Sequence, residues 1–165
     1  MKSRPDYMDR NSKKTLREGL AEYYALNPHL TLPETQPIEF AKILLAHDVG
    51  HVIYGCDTGM YDELKILPLS WWTSECTFGT YVSMRKSHAH VVNVMYEDMI
   101  KQKGVLWLYG AVLRVIPSLT PELIRIWFKT RNWHKRLPFL EFEPLLERSL
   151  LDIRQEFNLL QFMRL

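Results

Sequence analysis

The stretch from Pro37 to Gly55 leaves this chain the fewest options. Thr35 or Gln36 can cap a helix, and Pro37 suits a first turn, where its missing N–H costs nothing. Glu39 complements the positive end of the helix dipole, and Gly55 can adopt the left-handed conformation that stops a helix. Between these signals Phe40, Ile43, Leu44, His47 and His51 recur at helical spacing. The segment is therefore expected to be a helix carrying two imidazoles one turn apart.

Proline and glycine divide the rest of the chain in the same way, with few period-two runs and no internal repeat. A first helix is expected from about Ser12 to Leu26, with Leu16, Leu20 and Tyr23 or Tyr24 on one face, and Asn27-Pro28 stops it. An extended connection follows from Pro28 to Pro37. A third helix should start near Met60 and break or kink at Pro68. Later helices are expected over Ser87–Lys103, Val105–Ile116, Thr120–Asn132 and Glu143–Asn158, the third of these opening on the start signal Thr120-Pro121-Glu122. The expectation is an all-α fold: one compact domain of six to seven helices spanning 1–165, with 1–11 as a flexible arm.

Composition narrows the function classes. Apolar residues make up 47% of 165 positions, enough for a real core. Lys and Arg number 21 against 19 acids, and a net charge of +2 does not describe a nucleic-acid-binding surface. Cys56 and Cys76 are the two cysteines, a count that suits a reducing compartment and leaves a disulfide between them open. Met1–Lys14 lacks the apolar stretch of a secretory signal, so a cytoplasmic location is expected. The longest apolar run, Val105–Leu113, is about half the roughly 18 residues a spanning helix needs, though the chain could lie on a bilayer.

Residues four apart on a helix lie one above the other, so His47 and His51 can aim at one ion, and Asp48 borders the same face. Glu63 follows His51 by twelve positions, with a turn at Gly55–Gly59 long enough to return the chain beside the first helix. An unpaired carboxylate on a largely apolar face is disfavoured, and a bound cation would remove that cost. Two imidazoles with one or two carboxylates suit Zn²⁺ first, and Fe²⁺, Mn²⁺ and Mg²⁺ stay open. A solvated or mutually capped His pair is the competing reading of His47 and His51 alone.

The run His47-Asp48-Val49-Gly50-His51, then eleven residues to Glu63, resembles the His-Asp-x-x-His, eleven residues, Glu signature of the coenzyme Q (ubiquinone) biosynthesis protein four family. Gly55 and Thr58 fall where that family carries Gly and Thr, and the segment Glu143–Leu159 looks like its C-terminal helix. Asp62, in place of a glycine before the glutamate, and Pro68 depart from the pattern. The resemblance implies an all-helical homodimer with a zinc-type site at His47, Asp48, His51 and Glu63, and a hydrophobic channel for a polyprenyl chain. It further implies a prenylated aromatic precursor of the quinone as ligand, other ubiquinone-biosynthesis proteins as partners, and a peripheral position on the inner membrane. The implied activity is oxidative decarboxylation and hydroxylation at the ring carbon that bears the carboxylate, where a metal can act as a Lewis acid.

Two features of the residues fit that ligand. Trp71, Trp72, Phe78, Trp107, Tyr109, Trp127 and Phe128 exceed what a small helical core needs, although each by itself is readily a core residue. Lys129, Arg131, His134, Lys135 and Arg136, interleaved with Trp127, Phe128 and Trp133, could grip an anionic lipid surface or form a solvated helix end. Two rival readings stand beside it. A lipid-presenting scaffold would keep the ion for structure only. A metal-dependent phosphohydrolase of the His-Asp type would need an upstream histidine and a distal aspartate, for which His29 and Asp98 are available.

Overall fold

A computed structural model describes residues 4–79, 82–83, 100–101 and 103–163. Among them the chain is all-α: α1 (Leu16–Leu26), α2 (Ile38–Tyr54), α3 (Met60–Thr73), α4 (Val105–Thr130) and α5 (Leu150–Glu156), with four short 3-10 turns. Most of the expected helix over Ser87–Lys103 lies outside the described residues. The chain divides into two compact units, Met1–Thr58 with Lys135–Leu165, and Gly59–His134.

In the first unit, α1 begins at a reciprocal capping box: the Thr15 hydroxyl accepts from the Glu18 amide while the Glu18 carboxylate accepts from the Thr15 amide. The helix therefore starts at Leu16, four residues after the expected Ser12. Leu16, Leu20 and Tyr23 are buried along one face, as the spacing predicts. The described part of the expected arm is packed against α1. Tyr7 and Met8 are buried in a turn over Asp6–Met8, and the Glu22 carboxylate accepts from the amides of Asp6 and Tyr7.

Helix α2 runs beside α1, with Phe40, Leu44, Val49, Val52 and Ile53 buried. Pro37 stands at its cap rather than inside its first turn, and the Thr35 hydroxyl donates to the Leu32 carbonyl instead of capping. Gly55 ends the helix at φ 63°, with its amide bonded to Val52 O and the Cys56 amide to His51 O, the double closure of a Schellman end.

The C-terminal segment is shorter in helix than expected. Glu143–Leu145 is a 3-10 turn, and α5 starts afresh at Leu150 because the Ser149 hydroxyl accepts from the Asp152 amide. Before that cap the backbone is committed elsewhere: Leu16 N donates to Arg148 O, and Leu150 N to Lys14 O, so the starts of α1 and α5 are laced together. Arg154 on α5 then reaches the end of α2 and donates to the carbonyls of Val52, Ile53, Tyr7 and Asp9.

In the second unit, α3 packs on α4, burying Ile66 and Leu69 on one helix and Leu119 and Ile126 on the other. Pro68 does not end α3, which continues to Thr73 around a buried proline. The two helices expected over Val105–Ile116 and Thr120–Asn132 are one, α4, running through Pro117 and Pro121. Thr120 is not a cap: its hydroxyl donates back to Ile116 O, the return bond of a residue inside a helix. Glu122, read as part of a start signal, instead pairs with Tyr61 and Lys65 of α3.

Candidate metal centre

The site begins with the spacing on α2. His47 and His51 stand one turn apart with their rings edge to face, centroids 4.7 Å apart. Their Nε2 atoms face each other at 3.1 Å, a separation satisfied by one shared proton or one shared cation. Zinc–nitrogen bonds of about 2.0–2.1 Å at a tetrahedral angle put two donors on one ion about 3.3 Å apart, so this pair fits a metal edge with little rearrangement. His51 is wholly buried and His47 half-buried, in a helix whose inward residues are otherwise apolar but for Asp48.

Asp48, between them, is also buried, and its Oδ2 accepts a 2.8 Å hydrogen bond from the Tyr24 hydroxyl of α1. Burial first, then the Asp48 charge and hydrogen bond, push the Tyr24 phenol far above its ordinary range, so it remains a donor at any physiological pH. The adjacent Tyr23 lies nearly parallel to the His51 ring, with centroids 5.4 Å apart and planes at 21°. Two consecutive α1 residues thus hold two of the α2 residues singled out from sequence.

What lets α1 approach so closely is Gly19. A Cβ there would fall 2.7 Å from Cγ1 of Val52 and 3.1 Å from Cδ1 of Leu150. The missing side chain at one point of the helix contact brings Tyr23 and Tyr24, one turn further along, over His51 and Asp48.

Glu63 stands in the first turn of α3, whose N-cap is Gly59, where the exposed amides of a helix start favour a carboxylate. The loop before it is anchored by the Thr58 hydroxyl, 3.3 Å from Oδ1 of Asn27, while Asn27 itself donates to Tyr23 O. His47 and His51 are two donors of the kind that hold a metal ion, and Glu63, in the second unit, is the carboxylate that the sequence pattern adds to them. Asp48 keeps Oδ1 clear of the bond that holds its Oδ2 to Tyr24, and neither tyrosine was singled out from sequence as part of a site. The sequence offered one or the other only as a member of the apolar face of α1.

Other residues of interest fall elsewhere. His29 is exposed, in the turn after α1, while Asp98 lies outside the described residues. Cys56 and Cys76 are buried free thiols, and burial pushes the Cys76 thiol up to about 11. The surplus aromatic residues are not core: Phe78, Trp107, Tyr109, Trp127 and Phe128 are all exposed, most of them on α4, and Trp71 and Trp72 are half-buried. No described helix is long and apolar enough to cross a membrane. Compared with family models, curated proteins and solved structures, the chain matches none.

Proposed function

We propose that this chain is a divalent-metal protein of the coenzyme Q biosynthesis type, binding a polyprenylated aromatic acid and supporting modification at its carboxyl-bearing ring carbon. The observation that carries the reading is the 3.1 Å approach of the two Nε2 atoms of His47 and His51, in a helix that, Asp48 apart, otherwise buries apolar side chains. The His-Asp-x-x-His, eleven residues, Glu pattern adds Glu63 as a further ligand. Two imidazoles and a carboxylate are the donor set of open, reactive zinc sites, with Fe²⁺, Mn²⁺ or Mg²⁺ as alternatives. An ion held there would act as a Lewis acid toward the ring carboxylate of the ligand. The residues of the chain supply the frame: His47 and His51 hold fixed donors on a rigid helix, and buried apolar neighbours keep water from one side of the site.

The expectation of a lipid partner is supported by α4, taken by itself. Leu106, Tyr109, Leu113 and Ile116 recur every three or four residues, Ile124 and Trp127 resume the same face after a gap of eight, and all six are exposed, forming one apolar stripe. Arg114, Arg125 and Lys129 share the helix with Glu122 as its one acid, and Lys103 lies 4.5 Å from the Trp107 ring centroid. An apolar stripe with basic and aromatic flanks suits a lipid surface in the helix plane, the place where a prenylated ligand resides.

The test joins two measurements on the purified protein: elemental analysis, and mass spectrometry of the lipid extract. Stoichiometric metal that is lost in both His51→Ala and Glu63→Ala, together with a co-purifying isoprenoid or quinone precursor, is the expected result. Unchanged metal content in the two variants would remove the site. A clean preparation that hydrolyses nucleotides would favour the phosphohydrolase.

A further inference from the structure

We infer that Tyr24 is a positioning residue of the metal centre, acting through Asp48: its hydroxyl occupies Oδ2 of that carboxylate and so sets how the aspartate can meet the ion. The inference rests on the reading of His47, Asp48 and His51 as ligands and adds a layer to it. Three observations lead there. The Tyr24 hydroxyl lies 2.8 Å from Asp48 Oδ2. Asp48 is 3% exposed, so this partner is a neighbour inside the fold rather than a surface contact. Tyr23, next in the chain, stacks on His51, so one turn of α1 touches two of the residues that share the α2 face.

A carboxylate with one oxygen held by a phenol has that oxygen's lone pairs partly spent, which disfavours bidentate binding of an ion and leaves Oδ1 as the better donor. A hydroxyl donor also lowers the carboxylate's basicity and fixes its plane. Partners of this kind, outside the ligands themselves, commonly change metal affinity about 10- to 100-fold when removed. Tyr23 acts on the other side by restricting rotation of the His51 ring. Helix α1 thereby adds an outer layer to a site whose imidazoles are both on α2, and the close approach at Gly19 is what makes that layer possible.

The experiment measures Zn²⁺ affinity by competition with a chelator, and the visible absorption of the Co²⁺-loaded protein, in the full chain and in Tyr24→Phe, Asp48→Asn and the double variant. Tyr24→Phe is expected to change Zn²⁺ affinity by about 10-fold or more and to shift the Co²⁺ bands, which report the ion's ligand geometry. In the Asp48→Asn background, Tyr24→Phe is expected to have little further effect, because its action passes through the carboxylate. Unchanged affinity and an unchanged Co²⁺ spectrum in Tyr24→Phe would overturn the inference while leaving the metal site in place. Equal effects of Tyr24→Phe with and without Asp48 would overturn it as well, showing a general loosening of α1. A full chain that takes up neither ion would overturn both readings.

Discussion

Nζ of Lys65, on α3, lies 2.9 Å from Oε1 of Glu122, on α4, with the lysine side chain almost wholly buried and the glutamate largely so. Tyr61 donates to the other oxygen of the same carboxylate, and Arg125 approaches Oε1 at 3.6 Å. Removing one member of such a pair strands a buried charge. Glu122→Ala is therefore expected to cost about 3 kcal/mol, the low end for a buried pair because Glu122 retains some solvent contact. Urea unfolding followed by tryptophan fluorescence checks it, since the second unit holds Trp71, Trp72, Trp107, Trp127 and Trp133.

The same carboxylate predicts an acid limb of stability. Burial alone would raise Glu122, but the bonds from Tyr61 and Lys65 and the charges of Lys65 and Arg125 outweigh it and hold the group below its ordinary value of 4.5. A depressed folded value means stabilisation that is complete above the unfolded value and fades as pH falls through the folded one. Thermal midpoints should drop on acidification below about pH 4.5. In Glu122→Gln this part of the drop should be absent, and an acid limb identical to the parent protein's would contradict the assignment.

Arg154 predicts the largest structural effect in the first unit. Its guanidinium is fully buried and donates to four backbone carbonyls, two of them at the negative end of α2. Burial pulls its pKa down to about 10, which still leaves it charged at neutral pH. Arg154→Leu should cost about 3–5 kcal/mol by leaving carbonyls unsatisfied. Arg154→Lys should recover little of it, because one ammonium cannot span a planar fork of four acceptors. Guanidinium chloride denaturation of both variants decides the matter.

Gly19 connects packing to the site. Gly19→Ala would place a methyl carbon 2.7 Å from Val52 Cγ1 and push α1 away from α2. A loss of about 1–3 kcal/mol is expected from overpacking. Weaker binding of Zn²⁺ should accompany it, since the shift carries Tyr23 and Tyr24 off His51 and Asp48. Chelator competition that finds parental affinity in a destabilised Gly19→Ala protein would separate the helix contact from the metal site.

The apolar stripe of α4 predicts lipid binding that can be removed without unfolding the chain. Leu106 is 84% and Leu113 66% exposed, so Leu106→Glu and Leu113→Glu should leave stability nearly unchanged. Both should reduce co-sedimentation with vesicles containing phosphatidylserine, by loss of apolar contact and by added negative charge. Binding of the double variant equal to that of the parent chain would exclude this face.

Where the signals were local, the sequence was a sufficient guide. Pro37 and Gly55 bound α2 to within a residue, and the position of Gly55 as a left-handed stop follows from the absence of a Cβ. The interruptions were harder to read because proline speaks only about its own missing N–H. Pro68 and Pro117 look like interruptions and Pro121 like the start of a new helix, yet α3 and α4 pass through them. In those places contact between the two helices, together with the pairing of Lys65 and Tyr61 with Glu122, outweighs the loss of single backbone bonds. Glu143–Asn158 failed in the other direction: its helical pattern is sound, but Ser149 caps a new start and the preceding backbone is bonded to the strand-like residues around Thr15.

By itself the sequence determined the all-α class, the limits of α2 and the pairing of His47 with His51, because helix periodicity places residues four apart on one face whatever surrounds them. Only the tertiary structure decided what those residues meet. Tyr23 and Tyr24 are separated from His51 and Asp48 by more than twenty positions, and nothing in their own neighbourhood marks them as partners of the site. The approach of α1 to α2 at Gly19 brings them there, and a close helix contact is set by the packing of both surfaces at once, which no stretch of either helix contains.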